Sequence, residues 1–230
     1  MPVVMDDEST VQKNIADKLI AALKTGGFVL YAQKILALTA SGAQRPFQEV
    51  LVRFKEEEEK LLPPGTFFPM LQEYRLLPYV DRWVVGRLAT WVQEFRAQRP
   101  GLPPPAFGVN LAEDTLREAK FTEFVAKNIQ ASKIPEGTFT FAGFDGSDAS
   151  FNFLKDLKPD FVKLTYSTVK DIGRSLTASE RAEKICSRCH AMGIKAIAEF
   201  VESAEVLEHL KLVEVDFAQG LVIGGPQKMA

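Results

Sequence analysis

Lys195-Ala196-Ile197-Ala198-Glu199-Phe200 is a short apolar run that ends on a carboxylate and an aromatic ring. A helical pattern over Ala178–Met192, closed by Gly193, precedes it, and a second apolar run, Asp216-Phe217-Ala218-Gln219, follows after another helical pattern. Upstream, Asp160-Phe161-Val162-Lys163-Leu164 has the same character. Runs this short and rich in β-branched and aromatic residues read as buried strands, and strand, helix, strand at this spacing predicts parallel βαβ units.

Working toward the N-terminus, an amphipathic helix over roughly Thr10–Leu23 stops at Gly26-Gly27. Phe28–Gln33 and Phe47–Arg53 read as strands joined through a polar turn region, Thr39–Pro46. After the charged loop Lys55–Lys60, Pro63-Pro64-Gly65 reads as a stop signal. Apolar residues then recur at Val80, Trp83, Val84, Leu88, Trp91, Val92 and Phe95, the three-and-four spacing of a helix with one buried face. A Pro-rich loop over Pro100–Pro105 leads into a strand, Phe107–Leu111, and a helix over about Thr115–Ala131. The fold class is α/β, with a (β/α) TIM-like barrel as the leading architecture and a doubly wound open sheet as the alternative.

In a barrel the strand C-terminal ends carry the site, and Glu49, Asn110, Lys163, Glu199 and Gln219 all lie at or inside short apolar strands. Burying such groups costs several kcal/mol unless they are paired or bound to something, so they are either interior ion pairs or part of a ligand site. Composition narrows the ligand. The 230 residues are 46% hydrophobic with a formal net charge of -2, which offers no basic face for a nucleic-acid backbone but leaves room for one small dianion. Apolar runs are too short for a membrane helix and Met1-Pro2-Val3-Val4-Met5-Asp6-Asp7-Glu8 lacks a basic leader, so the expected location is the cytoplasm.

The ordered strand ends resemble the EAL-domain family, the cyclic di-GMP phosphodiesterases and their inactive relatives. The opening F-x-L-x-x-Q-P-I strand is similar to Phe28–Ile35, and E-A-L-x-R to Glu49-Val50-Leu51-Val52-Arg53. P-P-G-x-F-I-P matches Pro63–Pro69, L-D-x-W-V matches Val80–Val84, and V-N-L matches Val109–Leu111. L-K-I-D matches Val162–Thr165, A-E-G-V-E-T matches Ala198–Ser203, and the closing Q-G is Gln219-Gly220. The resemblance implies an EAL-type barrel over 28–230, preceded by an N-terminal helix and lead-in over 1–27.

Several departures bear on function. Active members hold two divalent metals with carboxylates from several strand ends. Read backward from Phe153-Leu154-Lys155-Asp156-Leu157, the family's paired metal-binding aspartates fall on Ala142 and Gly143, with Asp145 and Asp148 displaced from those positions. Thr165 stands at the aspartate of L-K-I-D, and the chain between Ile134 and Gly146 is too short for the βα unit expected there. The barrel is therefore expected to be modified or to lack one βα unit. No productive two-metal centre, no metal and no cofactor are expected.

A degenerate site can still bind its dinucleotide. The resemblance places the ligand on Gln33, Glu49, Leu51, Arg53, Asp81, Asn110, Glu199, Phe200, Glu202, Gln219 and Pro226. Arg53 would fork onto a phosphate, Asp81 would accept from a guanine edge, and Phe200, where active members usually have Gly, would stack on a base. The combination of E-V-L, absent aspartates and E-F-V-E is similar to the FimX-type receptors. That likeness implies a non-catalytic cyclic di-GMP receptor that docks a PilZ-type adaptor in type IV pilus and twitching control. It further implies a C-terminal piece of a longer protein, with a homodimer formed through the full-length chain. A working phosphodiesterase using Glu49, Glu199, Glu202 and Asp145 or Asp148, and a scaffold that has lost ligand binding, are the other readings.

Cys186-Ser187-Arg188-Cys189-His190 matches the C-x-x-C-H pattern of haem attachment. Inside a helix that packs on a sheet, Cys186 and Cys189 share a face with Ile185 and Met192, so the motif reads as packing. The acidic run Glu56–Glu59 reads as a solvated loop.

Overall fold

In a computed structural model the chain is described over residues 8–39, 45–55, 61–62, 64–112, 115, 118–131, 139–141, 160–164 and 166–229. Helix α1 (Glu8–Thr25) precedes the hairpin β1 (Phe28–Ala37) and β2 (Phe47–Lys55), which carries a short β3 (Leu61–Leu62). Then come α2 (Pro64–Glu73), α3 (Leu77–Gln98), β4 (Ala106–Val109), α4 (Ala119–Ala131) and β5 (Phe139–Phe141). The second half runs β6 (Phe161–Leu164), α5 (Tyr166–Val169), α6 (Leu176–Ala191), β7 (Lys195–Ala198), α7 (Ala204–Leu212), β8 (Phe217–Ala218) and β9 (Gln227–Lys228).

The strands form one sheet in the order β5-β4-β2-β1-β8-β7-β6. β2, β4 and β5 run parallel, as do β6, β7 and β8, while β1 is antiparallel to β2, β8 and β9. A two-strand hairpin needs no crossover helix, which is why the polar turn after β1 suffices, whereas the parallel pairs β2–β4, β4–β5, β6–β7 and β7–β8 are joined through helices. The sheet curls on itself. Three strands separate β2 from β6 in the order, yet the rings of Phe47 and Phe161 lie 4.9 Å apart across the interior. Phe217 completes that aromatic floor, 5.5 Å from each of them. Among the described residues no strand joins β5 to β6, so the curl leaves one seam. This is the modified EAL-type barrel that the sequence leads one to expect.

Two outer cores hold the helices on the sheet. One packs α1, α2 and α3 against β1, β2 and β4 around Phe28, Phe67, Leu88 and Phe107. Leu19 and Ala22 of α1 are buried in it, so the lead-in helix shares the domain core. The other packs α6 and α7 against β6, β7 and β8 around Leu164, Ala196 and Leu210. A fully buried Leu or Phe contributes about 1.5–3 kcal/mol, so the two layers clamp the strand ends in place.

Pro64-Gly65 begins a helix, so the Pro63-Pro64-Gly65 stretch is not simply the stop that the sequence suggests. Pro64 opens α2, because proline's fixed φ and absent N–H suit the first turn of a helix. Ala142, Gly143, Asp145, Asp148, Thr165 and Glu56–Glu59 lie outside the described residues.

Candidate functional site

Alternation along β1 and β2 puts Tyr31 and Gln33 on the same face as Glu49, Leu51 and Arg53, because the register pairs Gln33 with Glu49 and Tyr31 with Leu51. That face is the interior of the curl. Glu49 sits at its centre, 4% exposed. Its Oε1 accepts from Asn110 Nδ2 at 2.5 Å and from the Lys163 ammonium, and its Oε2 accepts from Gln219 Nε2 at 2.5 Å. Lys163 Nζ also donates to Glu199 Oε1 at 2.9 Å. All five strand-end polar residues singled out in the sequence thus meet in one hydrogen-bonded cluster.

The network continues outward. Gln219 Nε2 also donates to Gln33 Oε1 at 3.1 Å, and Gln33 Nε2 donates to the Gly224 carbonyl at 3.0 Å. Gln219 Oε1 is buried and accepts no hydrogen bond among the described residues. A buried acceptor left unmade costs about 1–3 kcal/mol, so this atom is an open demand for a donor.

Burial works against the Lys163 ammonium, but the Glu49 and Glu199 carboxylates outweigh it and hold its pKa above the ordinary lysine value. Glu199 moves up from the usual carboxylate range because burial, helped by the nearby Glu49 charge, exceeds the pull of Lys163. The cluster is therefore a pair of carboxylates sharing one cation.

Phe200 follows β7 with φ at 58° and is 55% exposed, edge-on to Tyr166 at 5.7 Å. A left-handed backbone costs a side-chain-bearing residue about 1–2 kcal/mol and glycine almost nothing, which gives the family's Gly at this position a conformational reason. The turn sends Val201 inward, where its N–H donates to the Gln219 carbonyl at 3.0 Å. Gly220 is bare for the same contact, since a Cβ there would lie 2.0 Å from the Val201 carbonyl oxygen. Phe200 and Gln219 are thus two ends of one interlocked turn.

Arg53 is half-buried, donates to the Val52 carbonyl at 2.9 Å and places its guanidinium 5.7 Å from the Tyr31 ring centre. Leu51 is half-buried between Glu49 and Arg53 on that face, Glu202 is exposed beside Phe200, and Pro226 is half-buried ahead of β9. Asp81 stands apart from the cluster's hydrogen bonds. Its Oδ2 accepts from the Ala112 amide at 2.9 Å and the Thr115 hydroxyl at 2.5 Å, so it pins the loop after β4 to α3. Burial pushes its carboxyl up despite those two bonds. Tyr31 and Tyr166 are neighbours of the site that sequence reasoning missed; the alternation that exposes Gln33 to the interior would have found Tyr31.

A family model described as EAL domain matches residues 16–142 and 138–226. The chain belongs to the EAL domain family. Among curated proteins, it is similar to the cyclic di-GMP phosphodiesterase PdeB of Shewanella oneidensis, 28% identical over 98% of this chain and 30% of that protein. It is also similar to the cyclic di-GMP phosphodiesterase PdeF of Escherichia coli, 25% identical over 95% of this chain and 33% of that protein. The chain therefore spans about a third of the length of these EAL relatives. The PdeB alignment runs over 258 positions against a chain of 230 residues, so the relative carries residues that have no counterpart here. In fold, the chain matches the Xanthomonas citri FimX EAL domain in complex with c-diGMP, with a TM-score of 0.83, 20% identity and 96% of each chain covered. The Pseudomonas aeruginosa FimX EAL domain bound to c-di-GMP gives a TM-score of 0.82 at 23% identity, covering 94% of this chain and 97% of that one.

Proposed function

We propose that this EAL domain is a non-catalytic cyclic di-GMP receptor that binds the dinucleotide at the Glu49 end of the curl and signals through a protein partner. The observation that carries the reading is Phe200, a large ring held exposed on a strained left-handed turn directly beside the polar cluster. Strain of that kind persists where the surrounding structure fixes it, and it gathers at functional sites. An exposed aromatic offers a purine base a stacking surface, and the Gln219 Oε1 acceptor and the Arg53 guanidinium offer it polar partners.

The lack of turnover is argued from charge. Glu49 and Glu199 bring two negative charges, and Lys163 cancels one of them within hydrogen-bond contact. Two divalent ions would bring four positive charges, and Mg²⁺ or Mn²⁺ favours an oxygen-rich octahedral shell. The aspartates that would supply the balance are Ala142 and Gly143 in this sequence. This donor set does not fit a two-metal centre. The similarity to proteins named as phosphodiesterases favours a second reading, hydrolysis with Glu49, Glu199, Glu202 and Asp145 or Asp148 as the carboxylates.

The partner follows from the likeness to FimX-type receptors: a PilZ-type adaptor, with type IV pilus biogenesis and twitching motility as the controlled process. The test of binding is a calorimetric titration with cyclic di-GMP in excess EDTA. The reading expects saturable heat without metal, and expects F200G to weaken affinity about 5- to 150-fold, the loss of about 1–3 kcal/mol of stacking. Heat that appears only when Mg²⁺ or Mn²⁺ is restored would sink it.

A further inference from the structure

Along β1, from the end where β2 and β8 enter the sheet up to β9, lies an open groove of about 840 Å³. Its rim carries Lys34, Arg45, Arg99 and Lys228, and among the described residues that line it no acidic side chain occurs. Lys34, Arg99 and Lys228 are exposed. Such a concentration of positive charge stands out in a chain whose net charge is -2. The groove's floor is apolar and aromatic, formed in part by Phe47, Trp91 and Phe217. The Arg99 guanidinium lies 4.9 Å from the Phe95 ring centre, a contact that steadies an otherwise exposed side chain.

From this charge pattern we infer that the groove is a docking site for an acidic peptide segment with apolar side chains between its carboxylates. Small-molecule sites enclose most of their ligand, and this groove is wide and open. A bare anion would use the rim and leave the aromatic floor in water, whereas alternating carboxylates and apolar anchors satisfy both at once. The groove reaches the Glu49 network at Gly224, whose carbonyl accepts from Gln33 Nε2, but Glu49, Asn110, Lys163, Glu199 and Gln219 are not among its lining residues, so the inference does not depend on cyclic di-GMP binding.

The experiment is a fluorescence-anisotropy titration of the whole chain with a fluorescein-labelled peptide of alternating Glu and Leu. The expected result is saturable binding that K34E/R99E weakens by about tenfold or more and that salt weakens as the screening length shortens. K120E/K184E makes the same change in net charge on exposed faces of α4 and α6, and it leaves binding unchanged. If K34E/R99E melts early, K34Q/R99Q reads the same loss without introduced repulsion. The inference is overturned by equal loss in the K120E/K184E control, by wild-type affinity in the groove variants, or by no saturable binding at low salt. It is likewise overturned if oligoglutamate without Leu binds as tightly, since that outcome describes a bare polyanion site.

Discussion

Lys163 is the residue on which the site's chemistry turns. It is buried between Glu49 and Glu199, and removing its charge leaves two carboxylates facing each other with no cation between them. K163M is therefore expected to lose about 3–5 kcal/mol of unfolding free energy in denaturant titrations, and a second change, E49Q, to recover part of it. The pH dependence has a definite sign. A lysine held above its ordinary 10.5 contributes stability that is fully present below that pH and disappears as pH rises through the raised value. The stability gap between wild type and K163M should accordingly close above pH 10.5. Phe200 makes the complementary case. Because its backbone is left-handed, F200G should lose cyclic di-GMP affinity while its melting temperature is unchanged or higher, a split that a mere packing role would not produce. Glu49, Asn110, Lys163, Glu199 and Gln219 were legible in the sequence as charges and amides inside apolar strands. The positive φ of Phe200 and the Asp81 tether to Ala112 and Thr115 were not, since both depend on contacts between elements far apart in the chain.

At the scale of elements, α6 shows why C-x-x-C-H invites a wrong chemistry. Ser175 caps the helix by accepting from the Ala178 amide at 3.3 Å, and the 3.6-residue period then turns Cys186 and Cys189 inward with Ala182 and Ile185. His190, next along, reaches Asp216 at 2.8 Å, and that carboxylate also accepts from the Ala196 amide. The motif thus fastens α6 to β7 and β8. Burial pushes the Cys186 thiol up to about 12 and the Cys189 thiol up to about 11, far from the thiolate form at neutral pH. Iodoacetamide at pH 8 should label both slowly in the native protein and rapidly in urea, as read by intact-mass spectrometry; rapid native labelling would mean the helix is not seated as described. The periodicities of α3 and α6 made these helices readable from sequence, whereas α2 was hidden by a proline-glycine pair that serves equally to stop or to start a helix.

The whole molecule is a sheet curled far enough for β2 and β6 to touch across the interior but open along one seam among the described residues. β7 is flanked by β6 and β8, while β5 pairs only with β4 among those residues. Amide protons of β7, which is buried and paired on both sides, should be among the slowest in native-state hydrogen exchange, and exchange of β7 as fast as that of an exposed loop would contradict this packing. Barrel-like architecture was legible from the alternation of strands and helices. The antiparallel first strand leaves no trace in its own residues and shows only in the short polar turn to β2, since a connection without a crossover helix closes an antiparallel pair. The proposal is that a site whose two carboxylates share one lysine holds cyclic di-GMP without cleaving it. That claim is tested most directly by incubating the protein with cyclic di-GMP and Mg²⁺ or Mn²⁺ under saturating conditions and chromatographing the recovered nucleotide. The account predicts intact cyclic di-GMP; linear pGpG that disappears in the E49A variant would contradict it.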